Sequence, residues 1–205
     1  MRRPDEPKDG DREAIRFGAE RLTFTFDERA ARRAVDFFPH LVHIEGPRGI
    51  VGTPFNLAPW QHALLWRVFG WKRADSSRRY RSAYVEIGRK NGKSNLGAGI
   101  ALLLLTADNE PAAQIYGAAD NREQAKIIWR IAAQMVLRNP ELRADLDVLE
   151  STKTICFKDP IARGPGFYRA IPADAPSAHG INAHGVIVDE LHTQPNRDLV
   201  DVLTS

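Results

Sequence analysis

Apolar residues between Asp27 and Phe38 recur three and four positions apart, at Ala30, Ala31, Ala34, Val35 and Phe38, which predicts a helix with one buried face. Asp27 supplies its N-cap and Pro39 stops it. A second helix is predicted from Pro59 to about Gly70, with Trp60, Ala63, Leu64, Trp66 and Phe69 along it and proline in its first turn. Ser82 to Ile87 is rich in β-branched and aromatic residues and reads as a short strand. Leu96, Ile100, Leu103 and Leu104 then place a helix over Asn95 to Thr106. Ala113 to Ala119 is a further strand. Asn121 caps the next helix, whose buried face is Ala125, Ile128, Trp129, Ala132, Met135 and Val136, and Asn139-Pro140 ends it.

Later in the chain, Thr152 to Lys158 and Gly166 to Ile171 have strand character. Asp159-Pro160 and Gly164-Pro165-Gly166 separate them, so a hairpin is expected. A loop from Pro172 to His184 leads into the apolar run Gly185 to Val188, which has the look of a buried parallel strand. Strands alternating with helices predict an α/β fold, a largely parallel sheet flanked by helices, with a helical N-terminal extension. Gly46 to Pro54 reads as a loop or hairpin.

The polar stretches set the divisions. Residues 1–20 mix both charge signs with Pro4, Pro7 and Gly10, and read as a mobile charged tail. Residues 21–80 form the helical N-terminal segment, closed by the basic connector Lys72 to Arg81, and residues 81–205 form the core. At 205 residues, 43% hydrophobic and 27% charged, the chain has room for a sizeable core. A formal charge of +3 permits contact with a polyanion without requiring it. Cys156 is the single cysteine, so no intrachain disulfide forms and a cytosolic compartment is the default. As a small apolar residue in a strand it is a packing residue rather than a nucleophile. No apolar run reaches membrane-spanning length, so no membrane contact is expected.

The chemistry lies in two segments. Gly88-Arg89-Lys90-Asn91-Gly92-Lys93-Ser94 follows the predicted strand and opens the predicted helix. That is the setting of a phosphate-binding loop. Backbone N–H groups face the anion, Lys93 reaches the β- and γ-phosphates, and the Ser94 hydroxyl ligates Mg²⁺. The usual G-x-x-x-x-G-K-[ST] spacing would put glycine at Ile87, so this loop is one residue short, and Arg89 and Lys90 make it unusually basic. The plainer reading is an ordinary strand-to-helix turn. Downstream, Val186-Ile187-Val188 ends in Asp189-Glu190, where Asp189 can hold Mg²⁺ and Glu190 can polarise an attacking water. Gln61 can pair with adenine beside Trp60, although on local sequence alone an exposed helix glutamine is the simpler reading.

These segments together resemble the ATPase part of a tailed-bacteriophage terminase large subunit, a P-loop NTPase of the ASCE type. Pro54-Phe55-Asn56-Leu57-Ala58-Pro59-Trp60-Gln61 is similar to that family's adenine-recognition segment, and Gly88 to Ser94 to its short, basic phosphate loop. Ala118-Ala119-Asp120 with Gln124-Ala125 resembles its next strand-to-helix segment. Phe167-Tyr168-Arg169-Ala170, Ala173-Asp174-Ala175 and Gly180-Ile181-Asn182 then precede Val186 to His192 in the family's order. The resemblance implies Mg²⁺-ATP hydrolysis that drives double-stranded DNA into a procapsid, with ATP and Mg²⁺ as cofactors and Glu190 as the catalytic base. It implies a homo-oligomeric ring, a portal protein and a small terminase subunit as partners, and the host cytoplasm as the location. It also implies an arginine acting in trans, with Arg169 and Arg89 as candidates; a surface ion pair is the alternative for Arg169. The family's coupling motif and nuclease domain would follow beyond Ser205, so an ATPase core incomplete at its C-terminus and no DNA cleavage are expected. Two other readings are kept. Asp189-Glu190-Leu191-His192 also spells a DExH helicase box, and a nucleotide-binding fragment without turnover would carry the same loop.

Overall fold

The computed structural model describes residues 6–17, 20–47, 49–119, 122–172 and 182–189. They fall into two compact units, residues 1–40 with 55–88, and residues 41–54 with 89–205. Residues 41–54 thus group with the second unit, although they precede residues 55–88 of the first.

In the first unit, β1 (Arg12–Phe17) and β2 (Glu20–Phe26) pair antiparallel from Arg12↔Thr25 to Phe17↔Glu20. The short β3 (Trp71–Lys72) joins the other edge of β2. Helix α1 (Glu28–Phe37) begins where the Asp27 carboxylate accepts from the Ala30 N–H at 2.9 Å, and it buries Ala30, Ala31, Ala34 and Val35 as its periodicity predicts. Helix α2 (Pro59–Gly70) packs against it. Their core is aromatic: Phe26 lies 5.8 Å from Trp66 and 5.4 Å from Trp71, and Phe38 meets Phe55 edge-on at 5.3 Å. Gly70 is required there, because a Cβ would stand 2.3 Å from the Phe26 ring.

Two expectations for this unit are corrected. Part of the segment read as a mobile tail forms β1. Its charges sit on a strand held by the ladder to β2 and by Arg79, which lies 4.3 Å over the Phe24 ring and pairs with Glu13. The extension is thus helical and stranded together. Ser82 to Ile87, expected as the strand before the phosphate loop, is irregular, and exposed except at the half-buried Ile87. β-propensity makes a strand only beside another strand, and no described strand pairs with this segment.

The second unit is built on a five-stranded sheet in the order β5 (Leu146–Leu149), β6 (Thr154–Phe157), β7 (Phe167–Pro172), β4 (Gln114–Ala119), β8 (Gly185–Val188). β4 runs parallel to β7 and β8, whereas β5, β6 and β7 are antiparallel neighbours. The sheet is therefore mixed rather than largely parallel. The short connections from β5 to β6, and through the one-turn α6 (Pro160–Arg163) to β7, leave no room for parallel crossovers. β8 is half-buried at the edge of the sheet that the described residues form, where β4 is its one described neighbour, so it is not the buried strand expected.

Helix α3 (Lys93–Thr106) and helix α4 (Arg122–Arg138) pack on each other and on the sheet. Ile115, Tyr168 and Ile155, all fully buried, form the core with Leu102, Leu103, Ile131, Ala132 and Met135. Asn139 then caps α5 (Pro140–Asp145), its side chain accepting from the Leu142 N–H at 3.0 Å. The expected cap Asn121 lies outside the described residues. Cys156 sits on β6 as expected, half-buried, with burial pushing its thiol pKa up.

Candidate nucleotide-binding site

The start of α3 is shaped for an anion. Lys90 and Gly92 both adopt left-handed backbone conformations, with φ of 64° and 77°, which turn the chain sharply into the helix. Glycine takes this conformation freely; at Lys90 it is held at a cost on the order of 1 kcal/mol. Gly92 is the N-cap and has no side chain to offer, so the N–H groups of Lys93, Ser94 and Asn95 receive no side-chain cap. They open a 14-residue helix whose dipole adds a partial positive charge at that end. Arg89 and Lys90 are exposed beside them, and the Asn91 amide donates to the Arg89 carbonyl at 3.4 Å.

The path of α3 across β8 sets where Asp189 stands. A Cβ at Gly97 would meet Ile187 Cγ2 at 3.3 Å, and one at Gly185 would meet Leu104 Cδ1 at 2.5 Å. Early helix thus lies over late strand and late helix over early strand, so the two run antiparallel. The far end is fixed by His184, whose Nε2 lies 2.6 Å from the Asp108 carboxylate just after α3. From the Gly97–Ile187 crossing, Ser94 lies about 4.5 Å along the helix and Asp189 about 6.6 Å along the strand, in the same direction. Lys93, Ser94 and Asp189 therefore share one end of the unit. Asp189 is half-buried, and its N–H extends the ladder to the Ala118 carbonyl at 3.1 Å.

This arrangement suits a nucleotide with Mg²⁺. Uncapped N–H groups and a lysine fit phosphate. One carboxylate with a serine hydroxyl fits Mg²⁺, which keeps most of its ligands as water and phosphate oxygen. Among the described residues no group of three His, Cys, Asp or Glu comes together, so an all-protein metal cage does not occur there.

Glu190 lies outside the described residues, as do Asp120, residues 173–181 and Leu191-His192 of the motif segments. Arg169 is on β7 at the level of Tyr116, its Nε donating to Thr154 Oγ1 at 3.1 Å and its guanidinium 4.8 Å over the Phe167 ring. Strand alternation sets it on the sheet face opposite Tyr168, away from α3. Gly88, Trp60 and Gln61 belong to the first unit. Trp60 is half-buried, and Gln61 is buried rather than exposed, its Oε1 accepting from the Ala58 N–H at 2.8 Å as the capping residue of α2.

The description "Terminase large subunit, ATPase domain" matches residues 59–205. The chain belongs to this family. Among its relatives, the "Terminase, large subunit" of Enterobacteria phage HK97 is 31% identical over 167 residues, covering 78% of this chain and 31% of the relative. The crystal structure of the HK97 bacteriophage large terminase superposes with a TM-score of 0.68 at 28% identity, over 85% of this chain and 34% of that one. The chain thus spans about a third of the length of the HK97 protein. The terminase ATPase fold is that of a P-loop NTPase, and the mixed sheet with α3 and α4 upon it is its core here.

Asn95, next to Ser94 at the start of α3, carries no local signal in the sequence. It was legible only as the first residue of a helix, yet it is buried and bonded to the backbone of residues 44 and 45. Nothing local marks a contact made across fifty residues of chain.

Proposed function

We propose that this chain is the ATPase motor part of a phage terminase large subunit, using Mg²⁺-ATP hydrolysis to drive packaging of double-stranded DNA into a procapsid. The observation that carries the reading is the antiparallel path of α3 over β8, which sets Lys93–Ser94 and Asp189 at one end of the unit. Family membership supports it and disfavours the helicase alternative.

In this reading the loop from Gly88 through Arg89, Lys90, Asn91 and Gly92 wraps the phosphates, the first-turn N–H groups of α3 bind their oxygens, and Lys93 neutralises charge on the β- and γ-phosphates. Ser94 and Asp189 hold Mg²⁺, which when bound draws charge off the transferred phosphoryl group. Glu190 orients the attacking water and takes its proton. The resemblance gives Gln61 and Trp60 the adenine-recognition role, and an arginine, Arg89 or Arg169, serves a neighbouring subunit of a ring. Because Arg169 sits opposite α3, it fits only the in-trans role. Double-stranded DNA, a portal protein and a small terminase subunit are the proposed partners, met in the host cytoplasm.

The test is ATP turnover by the purified chain with Mg²⁺, with and without double-stranded DNA. Turnover abolished by both Lys93→Ala and Glu190→Gln supports the reading. Turnover indifferent to both substitutions overturns it.

A further inference from the structure

Asn95 sits directly after Ser94 in the first turn of α3 and is 6% exposed. Its carboxamide is engaged at both ends by a distant segment: Oδ1 accepts from the Ile44 N–H at 3.3 Å, and Nδ2 donates to the Glu45 carbonyl at 3.2 Å. One side chain thus does for residues 44–45 what a neighbouring strand would do. The segment it holds, residues 41–54, is closed on itself. Leu41 is fully buried, Val42 bridges Pro54, the His43 N–H donates to the Thr53 carbonyl at 2.9 Å, and the Gly52 N–H donates to the His43 carbonyl at 2.8 Å. Its tip presents Ile50 and Val51, each about two-fifths exposed.

Asn95 also faces the other way. Its backbone N–H is the third uncapped donor at the start of α3, where a phosphate would bind. A first turn without side-chain caps frays, and an anion bound to its N–H groups stops the fraying. Fixing the Asn95 backbone fixes the origin of its side chain. Both carboxamide bonds lie at or just past the long end of the hydrogen-bond range, so they have room to shorten.

We propose that Asn95 is a positioning residue that couples occupancy of the phosphate site to the segment 41–54, so that a nucleoside triphosphate bound at the start of α3 orders that segment. The proposal rests on the nucleotide-site reading given above. It makes the Ile50–Val51 tip a surface whose order reports whether nucleotide is present.

The experiment is amide hydrogen exchange on the whole chain, with and without Mg²⁺ and a non-hydrolysable ATP analogue, in wild type, Asn95→Ala and Asn95→Asp. In wild type the analogue should slow exchange over residues 44–53 by about fivefold, the effect of one ordinary hydrogen bond. It should also slow the amides of Lys93 to Asn95. In Asn95→Ala, residues 44–53 should exchange faster without ligand and gain less than about twofold from the analogue, while Lys93 and Ser94 still respond. Asn95→Asp keeps an acceptor for Ile44 but not a donor for Glu45, so it should recover the response at Ile44, which simple loss of packing would not predict. It also supplies the readout if Asn95→Ala does not fold. Equal protection of residues 44–53 in wild type and Asn95→Ala overturns the coupling, as does a wild type that responds at residues 93–95 alone. A wild type that responds at neither place overturns the nucleotide-site reading and this proposal with it.

Discussion

Replacing Gly97 with valine tests the helix–strand crossing that places the site. A Cβ at this position would stand 3.2 Å from Ile128 Cδ1 and 3.3 Å from Ile187 Cγ2, so even one carbon forces a neighbour to give way. Valine adds two more methyl groups in a fully packed interior, and overpacking of this size costs about 1–3 kcal/mol. Valine is the better helix former by about 0.4 kcal/mol, which offsets a small part. The net loss is about 0.6–2.6 kcal/mol, or a drop of about 1–10 °C in melting temperature for a chain of this size. The wedge enters between α3 and β8, so it also separates Lys93–Ser94 from Asp189. Stabilisation by Mg²⁺-nucleotide should therefore fall further than stability does. Thermal unfolding with and without ligand measures both. The cycle with Ile128→Ala isolates the cause: that change alone costs about 2–5 kcal/mol, and with Gly97→Val present it should recover at least about 1 kcal/mol of coupling. Additive losses would refute the Gly97–Ile128 contact with α4, and a Gly97→Val chain that melts and binds as wild type does would refute the crossing over β8.

Asp27→Ala removes the cap of α1 and should cost about 1 kcal/mol, seen as a fall of about 2–4 °C in melting temperature. The Tyr168 hydroxyl is buried with no hydrogen-bond partner among the described residues. Tyr168→Phe should therefore leave the unfolding free energy, read from urea titration, unchanged or raise it by up to about 1–2 kcal/mol, and a clear loss would mean that the hydroxyl has a partner. Burial holds the His43 imidazole below its ordinary pKa. The unfolded chain then takes up a proton that the folded chain refuses, so this stability is present above about pH 6.5 and is lost as pH falls towards the folded value. Urea midpoints at pH 7.5 and 5.5 should differ less in His43→Gln than in wild type.

What the sequence made legible was set by local chemistry. α1 was readable because Asp27, the alanine stripe and Pro39 are all local signals, and α3 because its leucines repeat after Gly-Lys-Ser. The β1–β2 hairpin was not. Ile15 and Leu22, its opposed apolar pair, remain more than two-fifths exposed, and the charges around them read as a solvated tail. Ser82 to Ile87 failed the other way: its residues favour a strand, but pairing is a long-range property that composition does not carry. α5 and β5 went unread because Pro140 to Leu149 alternates too weakly to declare a period. At the site, Lys93, Ser94 and Asp189 were legible as motif residues. Their meeting at one end depends on Gly97 and Gly185, glycines whose role is the space they leave for Ile187 and Leu104.

If the start of α3 and Asp189 form one Mg²⁺-nucleotide site, nucleotide and metal stabilise the fold together and through Lys93. The most direct measurement is the melting temperature of wild type and Lys93→Ala with Mg²⁺ and a non-hydrolysable ATP analogue at about a hundred times its dissociation constant. Ligand at that concentration adds about 2.7 kcal/mol, so wild type should rise by about 5–11 °C and lose most of that rise without Mg²⁺. Lys93→Ala should melt as wild type does without ligand and rise by less than about 2 °C with it. Equal rises in the two proteins, or a wild-type rise indifferent to Mg²⁺, would mean that Lys93 and the metal do not meet nucleotide at one site.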